Sequence, residues 1–138
     1  MVFTRQLDLL LESECDVKDI TSQVDETVLD SELSSGIVTI FCPGATGGLT
    51  TIEYEDGAVA DLRQVLDELI PYDRDYQHHN RWGDDNGASH VRAALIGPSL
   101  TVPFVERRLT LGMWQQIVFI NFDTRPRSRQ VIVQVLGE

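Results

Sequence analysis

Residues 117–120 (Ile-Val-Phe-Ile) constrain the fold most strongly, because a strand at this position has apolar side chains on both of its faces. Strands of this kind are covered on both sides by other parts of the protein. A chain of 138 residues is long enough to bury such a strand within one domain, without disulfides or a structural metal. We therefore predict a single domain, residues 1–138, with a central strand at 114–122.

The remaining elements follow from the spacing of apolar residues and from the positions of glycine and proline. Helices are predicted at residues 16–33, 56–70 and 86–96, and further strands at 2–11, 36–42, 49–55, 99–105, 109–112 and 129–136. We expect strands 36–42 and 49–55 to pair as a hairpin, and residues 72–85 to form a functional loop. This order of elements predicts an α+β fold with mainly antiparallel sheets and two to three helices.

Charge is divided unevenly along the chain, whose formal net charge is −11. Residues 1–75 hold 17 acidic and 4 basic side chains, whereas residues 76–138 hold 5 acidic and 7 basic ones, all of them arginine. Because an acidic chain lacks the basic footprint that nucleic-acid binding requires, we predict no nucleic-acid partner. Any site for an anion should lie in the second half of the chain.

The cysteines and the N-terminal residues indicate the compartment. Cys15 and Cys42 lack the spacing of metal ligands or redox motifs, so we predict free, buried thiols in a reducing cytoplasm; a disulfide between them is the alternative. The first residues lead directly into a strand-like segment with charges at Arg5 and Asp8, unlike a signal peptide or a membrane span. We expect a cytoplasmic protein without a membrane partner.

All three histidines lie in or beside one segment, residues 78–116, which also holds both tryptophans. His78, His79 and His90 are candidate metal ligands or proton-transfer groups, since imidazole serves both roles near neutral pH. Surface histidines, or a helix histidine with a structural role, are the alternative interpretation. Glu53 is a further candidate, because a carboxylate near the end of an apolar strand requires a partner or a cation.

Arginines at alternate positions form the candidate anion site. Arg125, Arg127 and Arg129 lie between two predicted strands, where alternate side chains can point the same way and hold a phosphate. Gln115, in the turn before the central strand, is a further candidate for this site. A solvated hairpin loop is the alternative. The common motifs of nucleotide-binding proteins, zinc proteases and serine hydrolases do not occur.

Several motifs together resemble the YjbQ family, over nearly the whole chain. They are FCPGATGGLTTIEYEDG from Phe41, DDNGASH from Asp84, RLTLGMWQQI from Arg108 and RPRSR from Arg125. The combination of LGxWQ with PRxR at matching spacing is more specific than any single motif. The resemblance implies a compact α+β subunit that assembles as a homotrimer. It also implies secondary thiamine-phosphate synthase activity, which joins a pyrimidine pyrophosphate to a thiazole phosphate and releases pyrophosphate.

The resemblance also assigns roles to residues. His78 and His90 match family histidines and Glu53 matches a family acid, so these three are the implied catalytic residues and the implied ligands of a divalent metal, zinc or magnesium. Gly44 stands where many members have a histidine. His79 or Glu53 would then complete the ligand set, or the histidines would work as acid and base without a metal.

Two classes of function follow from these observations. The first is an enzyme of thiamine-phosphate formation, in which Arg125, Arg127, Arg129 and Gln115 bind small phosphorylated substrates. The second is a non-catalytic trimer that binds a small anionic metabolite or a metal. Retention of a divalent metal and conversion of the two thiamine precursors would distinguish the enzyme from the binding protein.

Overall fold

The computed structural model describes residues 1–138, which form eight strands and four helices. The strands are β1 (Val2–Leu11), β2 (Asp16–Asp19), β3 (Gly36–Phe41), β4 (Gly47–Ile52), β5 (Ser99–Val105), β6 (Arg108–Leu109), β7 (Gln116–Asn121) and β8 (Arg127–Gly137), and the helices are α1 (Thr21–Asp30), α2 (Asp56–Leu69), α3 (Gln77–Trp82) and α4 (Gly87–Ile96). The α+β class is confirmed, with one more helix than predicted, the short α3. None of the helices is both long and apolar enough to span a membrane.

Two antiparallel sheets form the framework of the domain. The larger sheet has the strand order β1-β8-β3-β5-β6, and the smaller sheet has the order β2-β7-β4. Every strand pair in both sheets is antiparallel. The prediction of mainly antiparallel pairing is therefore confirmed.

Strand β7 lies at the centre of the smaller sheet, and its side chains are buried on both faces. Ile117 and Phe119 join a first core, formed with side chains of the larger sheet and of α1. Val118 and Ile120 join a second core, which contains side chains of α2 and α4. β7 thus separates two apolar cores, as the pattern at residues 117–120 predicted.

The two cysteines lie in different cores, Cys42 in the first and Cys15 in the second. Both are buried and unpaired, which confirms the prediction of free thiols. Burial raises the pKa of each thiol, and nearby positive charge, from Arg92 at Cys15 and from Arg129 at Cys42, offsets part of that shift. Both thiols therefore stay protonated near neutral pH.

The predicted hairpin of β3 with β4 is wrong. β3 pairs with β5 and β8 in the larger sheet, whereas β4 pairs with β7 in the smaller one. The glycines that suggested a turn allow close packing instead. A Cβ atom at Gly47 would lie 2.7 Å from Phe119 Cζ, and one at Gly48 would lie 2.9 Å from Ile96 Cγ2. Because these two positions lack side chains, β4 fits closely against the first core and against α4.

The helix predicted at residues 16–33 is shorter than its pattern indicated. Residues 16–19 form β2, and α1 begins only at Thr21, whose N–H and hydroxyl group donate to Asp19 Oδ1 at 2.9 and 2.6 Å. Val17 fits both helical spacing and strand alternation, and the pairing of β2 with β7 decides between them. Residues 72–85 likewise differ from the prediction, because α3 lies within them.

Replacing Phe119 by alanine should lower the free energy of unfolding by about 3–5 kcal/mol, because its ring is fully buried between the sheets. Val105→Ala should change this free energy by less than about 0.5 kcal/mol, since the Val105 side chain is exposed. Urea unfolding of both variants measures the difference. Equal losses in the two variants would contradict the central position of β7 in the core.

Candidate functional site

One end of the smaller sheet brings several candidate residues together. β4 begins there and β7 ends there, since Gly47 pairs with Asn121. The connection from β3 to β4 (residues 42–46) therefore lies beside the connection from β7 to β8 (residues 122–126), and Phe122 N–H donates to Thr46 O at 2.9 Å. α4 packs on β4 and adds His90 to the same end.

Two arginines extend from the first core to this end of the sheet. In β8 the side chains of Val131, Val133 and Val135 are buried. Because successive side chains of a strand point to opposite faces, Arg127 and Arg129 lie on the same face of β8 as these valines, just beyond the core. Arg127 forms an ion pair with the buried Asp123, in which Nη2 and Nε lie 2.8 and 2.9 Å from Oδ2.

Asp123 is the acidic member of this polar cluster. Burial alone would raise the pKa of its carboxyl group, but hydrogen bonds from Thr124 N–H and Arg127, together with the charges of Arg127 and Arg129, lower the pKa overall. Asp123 is therefore ionised at neutral pH and neutralises the charge of Arg127 locally.

Arg129 differs from Arg127 in having only neutral hydrogen-bond partners. Its Nη2 atom donates to Thr46 Oγ1 at 2.6 Å and to Asn121 Oδ1 at 2.7 Å. Its buried Nε atom has no hydrogen-bond partner, and Nη1 lies 3.4 Å from the position that a Cβ atom would take at Gly44. The guanidinium group thus keeps donors free beside the β3–β4 connection.

His78 on α3 and His90 on α4 form the other half of the site, with ring centroids 4.4 Å apart. Nε2 of His78 lies 3.0 Å from both Asn86 Oδ1 and Asp84 Oδ2. Because a carboxylate only accepts hydrogen bonds, we assign the proton of His78 to Nε2, which donates to both oxygens. The His90 imidazole makes no hydrogen bond within the chain.

A cavity of about 270 Å³ separates α4 from the β3–β4 connection. Its volume lies just below the range of roughly 300–1,000 Å³ that is typical of small-molecule sites. The cavity therefore suits a small ligand or one end of a larger one. The residues that line it are mostly small: Gly44, Ala45, Gly47, His90, Ala93, Ala94 and Pro98.

The surroundings of His90 keep its imidazole neutral. Burial lowers the pKa of His90 below its ordinary value of 6.5 and the charge of His78 lowers it further, while Asp84 and Asp123 raise it in part. Since the pKa is lower in the folded than in the unfolded chain, protonation below about pH 6.5 favours unfolding. At pH 7 the neutral ring can accept a proton from a ligand in the cavity.

A buried arginine fixes the helix that carries His90. Arg92 donates from Nε and Nη2 to Ile70 O at 2.9 and 2.7 Å, and from Nη2 to Asp67 at 3.0 Å. Its guanidinium group also lies 4.2 Å from the centre of the Tyr72 ring. These contacts join α4 to the C-terminal end of α2, and they hold His90 in place two residues before Arg92.

His79 has a structural role rather than a place in the histidine pair. Its Nε2 atom accepts a hydrogen bond from Gly87 N–H at 2.9 Å, so this lone pair is occupied. The ring also contacts Tyr76 edge to face, with centroids 5.4 Å apart. The hydrogen bond from Gly87 holds α3 against the first turn of α4, and the Tyr76 contact fixes the His79 ring within α3.

Glu53 lies outside the site. β4 ends at Ile52, so Glu53 follows the strand and is exposed. Glu53 is six residues beyond Gly47, which lines the cavity. At about 3.3 Å per residue, these two positions are about 20 Å apart. The structure therefore does not bring Glu53 to the two histidines, because β4 runs from the cavity to the opposite end of the smaller sheet.

Gln115 lies at the same far end as Glu53 and does not join the arginines. It precedes β7, where its side chain hydrogen-bonds Gly112 N–H and Thr51 Oγ1, both at 3.1 Å. These bonds close the turn before β7. Arg125 is near Arg127 in sequence, but its side chain is exposed and makes no ion pair or hydrogen bond within the chain.

The structure does not gather all the residues predicted as ligands of zinc or magnesium into one set. No group of three or more His, Cys, Asp and Glu side chains is arranged to hold a metal ion. Glu53 is remote, and the Nε2 atoms of His78 and His79 are engaged in hydrogen bonds. Nδ1 of His78 and of His79 makes no hydrogen bond within the chain, and neither does the His90 imidazole, so a divalent metal at this site stays a prediction.

Two site residues were not singled out from the sequence. Asn121 accepts from Arg129, and its side-chain amide donates to Glu12 O and Arg125 O at 2.8 and 3.1 Å. Asp123 binds Arg127. The sequence indicates these two residues by their position. Asn121 ends the apolar run of β7 and Asp123 follows it, where a buried polar side chain requires a hydrogen-bond partner.

The fold and the site together define the class of protein. It is a small α+β domain of two antiparallel sheets, with a histidine pair and an arginine pair at one end of the smaller sheet. The family described as UPF0047 protein YjbQ-like matches residues 5–138, and the chain belongs to this family. The resemblance stated from the sequence motifs is thereby confirmed.

Relatives and solved structures agree with this assignment. A UPF0047 protein of Archaeoglobus fulgidus is 37% identical over 131 residues, which cover 95% of this chain and 99% of that protein. A UPF0047 protein of Methanothermobacter thermautotrophicus is 34% identical over 99% of this chain and 94% of its own. A crystal structure from Sulfolobus solfataricus, described as a YbjQ-like protein of unknown function, has a TM-score of 0.94 at 29% identity and covers 100% of this chain and 99% of that chain.

In an NMR titration, the imidazole of His90 should give a pKa below 6.5, because burial and the charge of His78 disfavour its protonated form. His78→Asn should raise this pKa, since it removes the neighbouring charge. Asp84→Asn should lower it, since the Asp84 carboxylate favours the protonated ring. A pKa above 6.5 in the unmodified chain, or shifts of the opposite sign, would contradict the proposed electrostatics.

Proposed function

We propose that the chain is an enzyme of the thiamine-phosphate synthase kind, which joins a pyrimidine pyrophosphate to a thiazole phosphate and releases pyrophosphate. The observation that carries the proposal is the position of two reactive groups beside one cavity. The neutral imidazole of His90 lines the cavity together with Gly44, and the free Nη1 of Arg129 lies next to Gly44. Proton exchange and phosphate binding are thus available to one small ligand.

The residues supply two contributions to such a reaction. Arg129 stabilises the negative charge that grows on a leaving pyrophosphate, because its charge has no carboxylate partner of its own. His90 exchanges a proton with the bound substrate, and burial together with the charge of His78 lowers the pKa of His90, so that its ring is neutral at pH 7. Arg127 acts through Asp123, which it keeps ionised beside this cluster.

His90→Ala should reduce conversion of the two thiamine precursors by about 100-fold or more, because it removes the group that exchanges the proton. The thermal midpoint should change little, since the imidazole makes no hydrogen bond within the chain. Glu53→Gln, at the far end of the smaller sheet, should retain conversion. The assay follows thiamine phosphate by chromatography, with and without added Mg²⁺ or Zn²⁺.

Two results would reject this proposal: unchanged conversion by His90→Ala, or no conversion by the unmodified chain under any of these conditions. The second result would favour the alternative, a non-catalytic trimer that binds a small anionic metabolite or a metal. For either function we propose a cytoplasmic location, which the two unpaired cysteines support.

We also propose that the chain assembles as a homotrimer through the outer face of the larger sheet. The apolar residues at 117–120 need no partner chain, because the domain itself covers them. The outer face of the larger sheet is different. Ile37 and Phe41 on the central strand β3 are 40% and 43% exposed, and Ile37 pairs with Leu136, which is 48% exposed. Burial of such a face is a common reason for cyclic assembly.

Light scattering at micromolar concentration should give about three times the chain mass of 15.5 kDa. Ile37→Asp should convert the assembly to monomers, because it places a charge in the centre of the apolar face. Val65→Asp is the matched control, since Val65 is 48% exposed on α2, away from the larger sheet. A monomeric unmodified chain, or equal effects of both substitutions, would exclude this interface.

A further inference from the structure

We propose that the backbone of residues 44–46, together with Arg129, forms a subsite for one phosphate monoester group. The inference rests on the proposed function only for the identity of the molecule that carries this phosphate. It goes beyond the arginine cluster that the sequence predicts, because it adds backbone donors, and it selects Arg129 over Arg127 and Arg125.

The β3–β4 connection is held at both ends and offers free donors between them. Cys42 N–H donates to Pro98 O at 2.8 Å, and Thr46 O accepts from Phe122 N–H at 2.9 Å. The N–H groups of Gly44, Ala45 and Thr46 lie outside the strands and donate to no other part of the chain. Gly44 and Ala45 are exposed and Thr46 is buried, so the first two N–H groups are open to a ligand from solvent.

Arg129 provides an independent observation at the same place. Its Nε atom is buried without a partner, and its Nη1 atom lies next to Gly44. Nη2 is fixed by Thr46 and Asn121, so the guanidinium plane is held in one orientation. A guanidinium group with free donors and no carboxylate partner is suited to a phosphate oxygen.

The neighbouring charges favour an anion at Arg129 rather than at the other arginines. Asp123 is the nearest carboxylate of the cluster, and Arg127 already pairs with it. Asp84 lies on the other side of the site, where it binds His78. Arg125 is exposed to solvent, where an isolated charge holds an anion weakly.

The absence of a side chain at residue 44 opens the subsite. A Cβ atom there would meet Arg129 Nη1 at 3.4 Å and Cys42 Sγ at 3.9 Å, which are ordinary contact distances. Gly44→Asp would therefore fit, and it would place a carboxylate against Nη1. The new carboxylate would occupy the donor that the phosphate requires.

Calorimetric titration with inorganic phosphate and with pyrophosphate, at constant ionic strength, tests the subsite. Gly44→Asp should weaken binding of both anions by about tenfold or more, because it replaces the ligand at Arg129. Gly44→Asn should weaken binding less, since it has the same size without the charge. Thermal midpoints of both variants should stay near that of the unmodified chain.

Ser128→Asp is the matched control for added charge. Ser128 is adjacent to Arg129 in sequence, but it is exposed and points to the opposite face of β8. This variant should change binding by no more than about twofold, because screening weakens an exposed charge. Equal losses in Gly44→Asp and Ser128→Asp, retained binding in Gly44→Asp, or no binding of either anion by the unmodified chain would overturn the proposal.

The outcomes also separate this inference from the proposed function. Phosphate binding that depends on Gly44 without conversion of the precursors would support the subsite and reject the proposed enzyme. Conversion of the precursors with phosphate binding that is insensitive to Gly44→Asp would reject the subsite alone.

Discussion

The burial of β7 on both faces is the constraint on which the rest of the structure depends. A three-stranded sheet with two apolar faces must be covered twice, and the chain covers it with the larger sheet on one side and with helices on the other. Two polar residues, Asn121 at the end of the buried strand and Asp123 just beyond it, are thereby held at the edge of both cores. Buried polar side chains require hydrogen-bond partners. Arg127 is the partner of Asp123, and Arg129 is the partner of Asn121.

Antiparallel pairing then determines which connections meet. Because Gly47 pairs with Asn121, the beginning of β4 and the end of β7 lie at one end of the smaller sheet, while Glu53 and Gln115 lie at the other. Glu53 and Gln115 were predicted as site residues, but the length of a strand separates them from the other candidates. Residues far apart in sequence, such as Thr46 and Arg129, come into contact.

Local patterns were sufficient for part of the fold. Alternation identified most strands, and the spacing from Asn86 to Gly97 identified α4 with both of its ends. The partner of β4 was not predictable in this way, because the glycines at 47 and 48 are typical of turns as well as of close packing. The positions of the candidate site residues relative to one another were also predictable only in part. His78, His90 and the orientation of the arginines follow from motif and alternation, but the distance of Glu53 from the histidines depends on sheet pairing.

The two adjacent glycines of β4 have a consequence for how the protein can change over evolution. Gly47 is in contact with the first core through Phe119, and Gly48 is in contact with α4 through Ile96. The spacing between the smaller sheet and the helix that carries His90 therefore depends on the missing side chain at residue 48. A side chain at residue 48 would collide with Ile96 on α4, so this position can change only if the helix that carries His90 moves away from β4.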